Sequence, residues 1–269
     1  MVSQLIPQER TFKYLWNPVQ CLDQDKSAPN RYTVFIMSLR SMFTSVASRY
    51  DLLNRILTFG LDDVWRKTCA GECISKGVVI DLCCGTGKLA QNIQKRLPPQ
   101  ACLLGLDFNK AMLNKAVQET RSRVTFIVAD AAYLPFVDAS VDRVAISFSF
   151  RNLVFRNPKA MTHVKEIART LREKGRFACI ETSQPDSRMI QILFHLYCKK
   201  VVPLVGWLVS KRKAPYRYLG ASAADFLSAR EINALLLKAG FHKVSFKDKT
   251  LGTIALHVAV KEARARTKR

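Results

Sequence analysis

The sequence predicts an α/β fold with a mostly parallel sheet, and residues 78–97 give the main reason. They begin with an apolar run, residues 78–80, that is too continuous for a half-exposed strand and is typical of strands buried on both faces. Gly85 and Gly87 follow, and then a helical pattern that Pro98 ends. A strand, a glycine turn and a helix form the unit that brings backbone N–H groups and a helix N-terminus close to a ligand.

Further apolar runs predict the rest of a seven-stranded sheet. We expect the other strands at 101–106, 124–129, 141–148, 176–181, 242–247 and 253–260. The short turn between the last two strands implies that the last strand is antiparallel to its neighbours. The predicted domains are an N-terminal extension (1–40), one α/β domain (41–261) with a helical insertion at about 186–230, and a basic tail (262–269). Whether the extension packs on the domain or is loose stays open.

The charge of the chain narrows the classes of partner. Lysine and arginine number 43 against 21 acidic residues, which gives a net charge of +22 over 269 residues. Such a field attracts nucleic acid or an anionic membrane surface, although solubility is an alternative reason for it. The eight cysteines form no C-x-x-C pair and have no histidine at a zinc-like spacing. We therefore expect free thiols, a reducing compartment and no metal site.

The glycine spacing and two acidic residues predict a nucleoside site. The pattern Gly85-x-Gly87 matches neither the G-x-G-x-x-G of dinucleotide sites nor a P-loop. Asp107 ends the second strand, where a carboxylate can accept the hydroxyls of a ribose. Asp130 and Ala131 follow the third strand, where a side chain and a backbone N–H could bind an adenine edge. Three such strand ends at one edge of the sheet describe a nucleoside site that needs no pyrophosphate.

These residues resemble the first motifs of the S-adenosylmethionine-dependent methyltransferases. Further blocks resemble the ubiquinone/menaquinone-biosynthesis C-methyltransferase family, from about Phe43 to Lys261. In order, these blocks are residues 45–54, 57–60, 65–66, 130–136, 147–152, 215–219, 239–241 and 254–257. The resemblance implies a Rossmann-like methyltransferase fold with an N-terminal helical lid. It also implies S-adenosyl-L-methionine as cofactor and a carbon–methyl bond formed on a polyprenylated quinol.

The resemblance also implies which residues bind the cofactor. The family motifs place the amino-acid end of the cofactor at the glycine turn, the ribose at Asp107, and the adenine at Asp130 and Ala131. Ser147 would close the pocket beside the sulfonium. The predicted cofactor-binding set is therefore Gly85, Thr86, Gly87, Asp107, Asp130, Ala131 and Ser147.

Catalytic residues are predicted where the fourth strand opens into the cleft. An arginine cannot be a base near neutral pH, but the Arg151 guanidinium could stabilise a developing phenolate and, with Asn152, orient a water that takes the proton. The alternative is that Arg151 pairs with a nearby carboxylate. In the family, Tyr50 lies on the lid and points at the cofactor; otherwise it is a core residue of an amphipathic helix.

Three residues of the insertion are candidates for binding the acceptor. Tyr216 and Tyr218 could donate hydrogen bonds to the quinone oxygens, or they could simply pack. The unperturbed pKa of histidine suits a base, so His195 is a candidate. It lies in an apolar run, however, and the alternative is a core or lid histidine whose hydrogen bonds are made within the fold.

Two apolar runs in the insertion suit a lipid partner. Residues 189–198 and 201–209 are separated by Lys199 and Lys200, so neither reaches the roughly 20 residues that a bilayer span requires. Such a segment either lies in the membrane interface or is a buried core helix. We expect a lipid quinol substrate, an anionic membrane surface as a partner, and a homodimer or a quinone-biosynthesis assembly. The expected location is cytoplasmic and peripheral to the membrane, on the matrix side in a eukaryote.

Rival functions remain open. The charge allows an RNA methyltransferase, but residues 147–152 lack the Asn/Asp-Pro-Pro-aromatic motif of such enzymes. A methyltransferase for another small molecule and a catalytically degenerate scaffold of a quinone-biosynthesis assembly are further alternatives. The scaffold is suggested by Lys88, which stands where the family carries aspartate, and by Ser149 and Phe150, which replace a Gly-Leu-like pair.

Overall fold

The computed structural model describes residues 31–120 and 123–262, and these contain one seven-stranded sheet. The strands are β1 Val78–Leu82, β2 Cys102–Asp107, β3 Val124–Val128, β4 Val141–Ser147, β5 Leu171–Thr182, β6 Phe241–Lys249 and β7 Ile254–Lys261. They lie in the order β3-β2-β1-β4-β5-β7-β6, and only β7 runs antiparallel to its neighbours. The predicted fold class is confirmed.

Helices cover the sheet and its carboxyl edge. They are α1 Arg31–Val46, α2 Tyr50–Leu57, α3 Leu61–Gly71, α4 Lys88–Gln94, α5 Lys110–Glu119, α6 Phe150–Val154, α7 Ala160–Thr170, α8 Arg188–Leu196, α9 Val202–Ser210, α10 Ala214–Ala224 and α11 Ala229–Lys238. Because successive strand residues point to opposite faces, the central strands feed two cores. Ile80 and Val144 join the core on one face, and Val79 and Ala145 join the core on the other.

The fifth strand begins earlier than the sequence indicates. The apolar run predicts a strand from residue 176, but β5 starts at Leu171. Its register on β4 shifts between the pairs Val141–Leu171 and Arg143–Arg176. Lys174, with a φ of +58°, and the following Gly175 take up the extra length. Lys174 and Gly175 therefore form a bend inside the strand.

The first described helix crosses the predicted start of the domain. α1 begins at Arg31, so residue 40 lies inside a helix, and Tyr32 and Leu39 on that helix are buried. Residues 1–30, most of the predicted extension, lie outside the described residues, as does most of the basic tail.

The two apolar runs of the insertion form one helix, so the expected interruption at Lys199 and Lys200 is wrong. Arg188–Ser210 is continuous over 23 residues, with a π-helical turn at Tyr197–Val201 that contains both lysines. Lysine has a high helix propensity and both side chains are exposed, so the two lysines do not interrupt the helix. Of the described helices, this one alone is long and apolar enough to cross a membrane, a test that core helices also pass, and 22% of its most apolar window is buried.

Candidate active site

The glycine turn after β1 is locked to the end of β2. Gly85 and Gly87 have φ values of +55° and +77°, which favour glycine. The Gly85 N–H donates a 2.9 Å hydrogen bond to Asp107 Oδ2, and the Asn109 N–H donates one of 2.8 Å to Asp107 Oδ1. Burial raises the pKa of the Asp107 carboxyl to about 6, and these backbone donors oppose that effect.

A small cavity of about 50 Å³ lies at the carboxyl ends of β1, β2 and β3. Gly85, Asp107, Asp130 and Ala131 line it together, as a shared nucleoside site requires. Its roof comes from the N-terminal helices through Ile36, Leu39, Phe43 and Tyr50, and Asn152, Ser149 and His163 complete the wall. The structure thus brings three predicted strand ends to one enclosed space.

Asp130 has a partner on α1 that the sequence did not reveal. The Tyr32 hydroxyl lies 2.8 Å from both carboxylate oxygens of Asp130, and the Ala132 N–H donates to Oδ1 at 2.8 Å. His163 Nε2 is 3.3 Å from the Tyr32 oxygen, and Lys159 Nζ lies 4.2 Å from the centroid of the Tyr32 ring. The first helix is therefore fastened to the third strand end.

Thr86 and Ser147 lie beside the small cavity without lining it. The Thr86 hydroxyl donates a 2.7 Å hydrogen bond to Asp51 Oδ1 on α2. Ser147 ends β4 half-buried, whereas Ser149, two residues later, does line the cavity. Their predicted cofactor contacts, and that of Gly87, stay predictions.

A large cavity of about 310 Å³ adjoins the small one. Its wall is mostly apolar and comes from α2, α3 and the insertion, with Leu57, Phe59, Trp65, Phe194 and Val202 among its residues. Tyr50 lines both cavities, so the predicted lid tyrosine stands where they adjoin. An apolar cavity of this size with a few polar groups is typical of a small-molecule site.

The neighbours Arg151 and Asn152 face different cavities. Arg151 lines the large cavity and pairs with the fully buried Glu181, with 2.6 Å between Nη1 and Oε1. Its Nε donates to Ser222 Oγ at 3.3 Å, and Nη2 has no hydrogen-bond partner among the described residues. Asn152 lines the small cavity, and its Oδ1 accepts a 3.2 Å hydrogen bond from the Tyr218 hydroxyl. The carboxylate pairing considered for Arg151 is present, and it leaves one guanidinium nitrogen free.

The three predicted acceptor-binding residues, Tyr216, Tyr218 and His195, line neither cavity. Tyr216 is fully buried against Gly206, where an added Cβ would meet the tyrosine ring at 2.1 Å. His195 Nε2 lies 2.8 Å from Gln184 Oε1. Tyr218 contacts the site through its hydrogen bond to Asn152. Contact of these three with an acceptor stays a prediction.

Comparison with known proteins identifies the family. The model of the ubiE/COQ5 methyltransferase family matches residues 33–261. The chain belongs to this family. It is 35% identical over 235 residues to the demethylmenaquinone methyltransferase of Lactococcus lactis, covering 85% of this chain and 92% of the relative. It is also 35% identical over 231 residues to the ubiquinone/menaquinone biosynthesis C-methyltransferase UbiE of Geobacter sulfurreducens, covering 83% and 88%. The protein is a methyltransferase.

Solved structures agree on the fold. A chain in the complex between the Haloferax volcanii Trm112 methyltransferase activator and a methyltransferase superposes with a TM-score of 0.60 at 17% identity, covering 82% of this chain and 98% of that one. A Methanococcus maripaludis protein, described as S-adenosyl-L-methionine-dependent, gives 0.56 at 14% identity over 84% and 96%. At these identities the likeness establishes the fold alone.

Lys88 departs from the ubiE/COQ5 family pattern, and nearby carboxylates compensate its charge. Lys88, which stands in place of an aspartate, directs its Nζ to Glu119 at 2.8 Å, with Asp51 at 3.9 Å. Lys115 also reaches Asp51, at 3.1 Å. The reversed charge is therefore compensated within a cluster of two lysines and two carboxylates beside the lid.

Sequence reasoning missed several polar residues of this ubiE/COQ5 family member. They are Tyr32 beside Asp130, His163 at the small cavity, Asp62 and Arg66 at the large one, and Asp81 on β1. The carboxylate oxygens of Asp81 have no hydrogen-bond partner among the described residues, and burial raises its pKa to about 8. Only Asp81 had a usable signal, as an acidic residue inside a buried strand next to the glycine turn.

Proposed function

We propose that this protein transfers a methyl group from S-adenosyl-L-methionine to a ring carbon of a polyprenylated quinol in ubiquinone or menaquinone biosynthesis. One observation carries the proposal: a small cavity lined by two carboxylates adjoins a large apolar cavity, and Tyr50 lines both. The first suits a nucleoside donor and the second an aromatic lipid acceptor. Family membership and the printed activities of the relatives support the same reaction.

The residues at the small cavity fit the cofactor. Asp107 would accept the ribose hydroxyls, and Asp130 with the Ala131 N–H would bind the adenine. The orphaned carboxylate of Asp81 next to the glycine turn offers a partner to a cationic amino group. Small-molecule pockets usually measure about 300–1,000 Å³. This cavity measures about 50 Å³, so the roof on α1 must shift to admit the cofactor. When bound, the cofactor supplies an electrophilic methyl group.

The large cavity would hold the quinol ring. Its apolar wall would exclude water once the ring is bound, and its volume suits a ring with the start of a prenyl tail. Loss of the hydroxyl proton leaves negative charge on a ring oxygen, and this charge makes the ring carbon nucleophilic towards the methyl group. The free Nη2 of Arg151, fixed by Glu181, would stabilise that charge, and a water held by Arg151 and Asn152 would carry the proton away.

We further propose that the enzyme works at the surface of an anionic membrane, cytoplasmic or on the matrix side. The long helix Arg188–Ser210 exposes Met189, Ile192, Leu193, Leu196, Leu204, Trp207 and Leu208. Arg188 begins the helix, and Lys211, Arg212 and Lys213 follow it. Phe194 and Val202 of the same helix line the large cavity, so a lipid tail would pass directly from the bilayer into the site.

Mass spectrometry of quinones tests the proposal in cells. A strain without the protein should accumulate a quinone that lacks one ring methyl. Adding back the wild-type gene should restore the fully methylated quinone. The missing methyl identifies the acceptor. Normal quinones in the deletion strain, with undermethylated RNA, would favour the RNA alternative. Restoration by an Asp107→Ala variant that no longer binds the cofactor would favour the scaffold.

A further inference from the structure

A buried ion pair on α3 faces the large cavity and has no role in the reaction described above. Arg66 Nη1 contacts Asp62 Oδ2, and the two side chains are only 8% and 13% exposed. Both residues line the cavity, whose other walls are mostly apolar. Taking two charges out of water costs more than one contact returns unless other polar partners are present. This pair is therefore placed for contact with a polar ligand.

The pair is joined to the Arg151 site through a single residue, Phe148. The Arg66 guanidinium carbon lies 5.3 Å from the centroid of the Phe148 ring. The backbone carbonyl of Phe148 accepts a 3.2 Å hydrogen bond from Arg151 Nη1. Phe148 has a φ of +55°, a conformation that L residues rarely adopt, so the surrounding contacts hold it in place. Arg151 and the Asp62–Arg66 pair thus border the same region of the large cavity, next to Phe148.

The two carboxylates differ in their capacity to accept further hydrogen bonds. Glu181 is fully buried, and its Oε1 already accepts from Arg151 Nη1, the Thr182 N–H and the Thr182 hydroxyl. Asp62 Oδ1 accepts from the Thr58 hydroxyl at 3.1 Å, and Oδ2 accepts from Arg66. Each carboxylate oxygen has two acceptor sites, so Asp62 keeps one on each oxygen. Asp62 is the carboxylate that lines the cavity.

We infer that Asp62, held by Arg66, accepts a hydrogen bond from one hydroxyl of the acceptor ring, while Arg151 contacts the oxygen of the other hydroxyl. This inference rests on the proposed function and specifies its substrate: a ring with two free hydroxyls, a hydroquinone, in preference to its monoethers. Two polar anchors on either side of Phe148 would fix the rotation of the ring, and so which carbon faces the methyl donor. Asp62 is a specificity-determining residue.

A purely structural role for the pair makes a different prediction. An i,i+4 ion pair can simply stabilise α3, and its loss would then affect all acceptors equally. Removing one partner alone would leave a buried charge and could unfold the protein, whereas replacing both by apolar side chains of similar volume is often neutral. The double variant Asp62→Leu/Arg66→Met is therefore the informative change. The same change at Asp63 and Lys67, an exposed pair on the same helix, is its matched control.

The test measures kcat and KM for a short-chain demethylated hydroquinone and its two monomethyl ethers. The wild type should prefer the hydroquinone over one of the two ethers by roughly tenfold or more, as expected for a hydrogen bond to a charged group. In Asp62→Leu/Arg66→Met, KM for the hydroquinone should rise about tenfold and that preference should fall to within about twofold, with unchanged cofactor Kd. The Asp63→Leu/Lys67→Met control should match the wild type.

Two results would overturn the inference. One is an unchanged preference for the hydroquinone in Asp62→Leu/Arg66→Met. The other is an equal loss for all acceptors in both double variants, which would show a structural role. If the wild type methylates none of the three acceptors, the proposed function itself fails, and the inference fails with it.

Discussion

The hydroxyl of Thr86 donates a 2.7 Å hydrogen bond to Asp51, which ties the glycine turn to the first turn of α2. Lys115 on α5 lies 3.1 Å from Asp51 Oδ2 and also donates to the carbonyl of Ala47. The helical lid over the small cavity is therefore fastened at its base by polar contacts to the sheet side. We therefore predict that the lid determines how long the cofactor stays bound.

Removing the Thr86 hydroxyl should loosen the lid. Thr86→Val keeps the shape of the side chain and leaves Asp51 without this donor, and a hydrogen bond to a charged group contributes about 1.5–3 kcal/mol. We expect the dissociation rate constant of S-adenosylmethionine to rise roughly tenfold, measured by stopped-flow displacement. Thr68→Val, which removes an exposed hydroxyl bonded only within α3, is the control. An unchanged rate would show that this contact of the lid does not control cofactor release.

The binding of the cofactor should depend on the charge of Asp107. Burial raises the pKa of this carboxyl to about 6, so it is ionised above that pH and protonated below it. A protonated carboxyl loses acceptor sites, and the affinity for S-adenosylmethionine should therefore fall as the pH decreases through about 6.

Calorimetric titration between pH 5 and pH 8 checks this expectation. Asp107→Asn should bind about tenfold more weakly at pH 8 and should lose most of the pH dependence. Asp248→Asn removes an exposed carboxylate on β6 and should behave as the wild type. A pH dependence that persists in Asp107→Asn would assign the titration to another group.

The sequence predicts the sheet and the strand ends well, because both depend on local signals. The apolar run before Gly85 and the acidic residues at 107 and 130 sufficed to predict that three strand ends meet. The contact between Tyr32 and Asp130 joins residues 98 positions apart and depends on how α1 crosses the sheet edge, which no local pattern encodes. For the same reason the sequence could not show that Asp62 faces the large cavity, since this depends on the rotation of α3.

Arg151 should affect turnover without affecting cofactor binding. Its removal would leave Glu181 buried and unpaired, which destabilises a protein by about 3–5 kcal/mol. Arg151→Lys keeps the charge but loses the planar fork that contacts Glu181, Ser222 and the cavity at once. We expect kcat to fall by about two orders of magnitude, the size of the effect when one stabilising donor is lost.

The cofactor Kd measured on the same samples is the control for this variant. It should stay within about twofold of the wild-type value, since Asn152 rather than Arg151 lines the small cavity. An Arg151→Lys enzyme with full activity would remove the guanidinium from the mechanism.

The exposed face of the long helix should bind anionic membranes. Trp207 and Leu208 are 45% and 53% exposed, and basic residues follow at 211–213. Trp207→Ser/Leu208→Ser should weaken binding to phosphatidylglycerol-containing vesicles by roughly tenfold or more, since each buried apolar side chain contributes about 1.5–3 kcal/mol. Leu237→Ser, an equally exposed leucine on α11, is the control. Equal sedimentation of all three proteins with vesicles would exclude this face as the membrane-binding surface.

The central claim is that the two cavities meeting at Tyr50 join a sulfonium donor to an aromatic ring carbon. The most direct measurement uses purified protein, S-adenosylmethionine with a ¹³C-labelled methyl group and a short-chain demethylated hydroquinone, followed by NMR spectroscopy of the product. We predict a labelled methyl group bonded to a ring carbon, formed in equal amount to S-adenosylhomocysteine. Label on a ring oxygen, or no transfer by a protein that binds both ligands, would contradict the account.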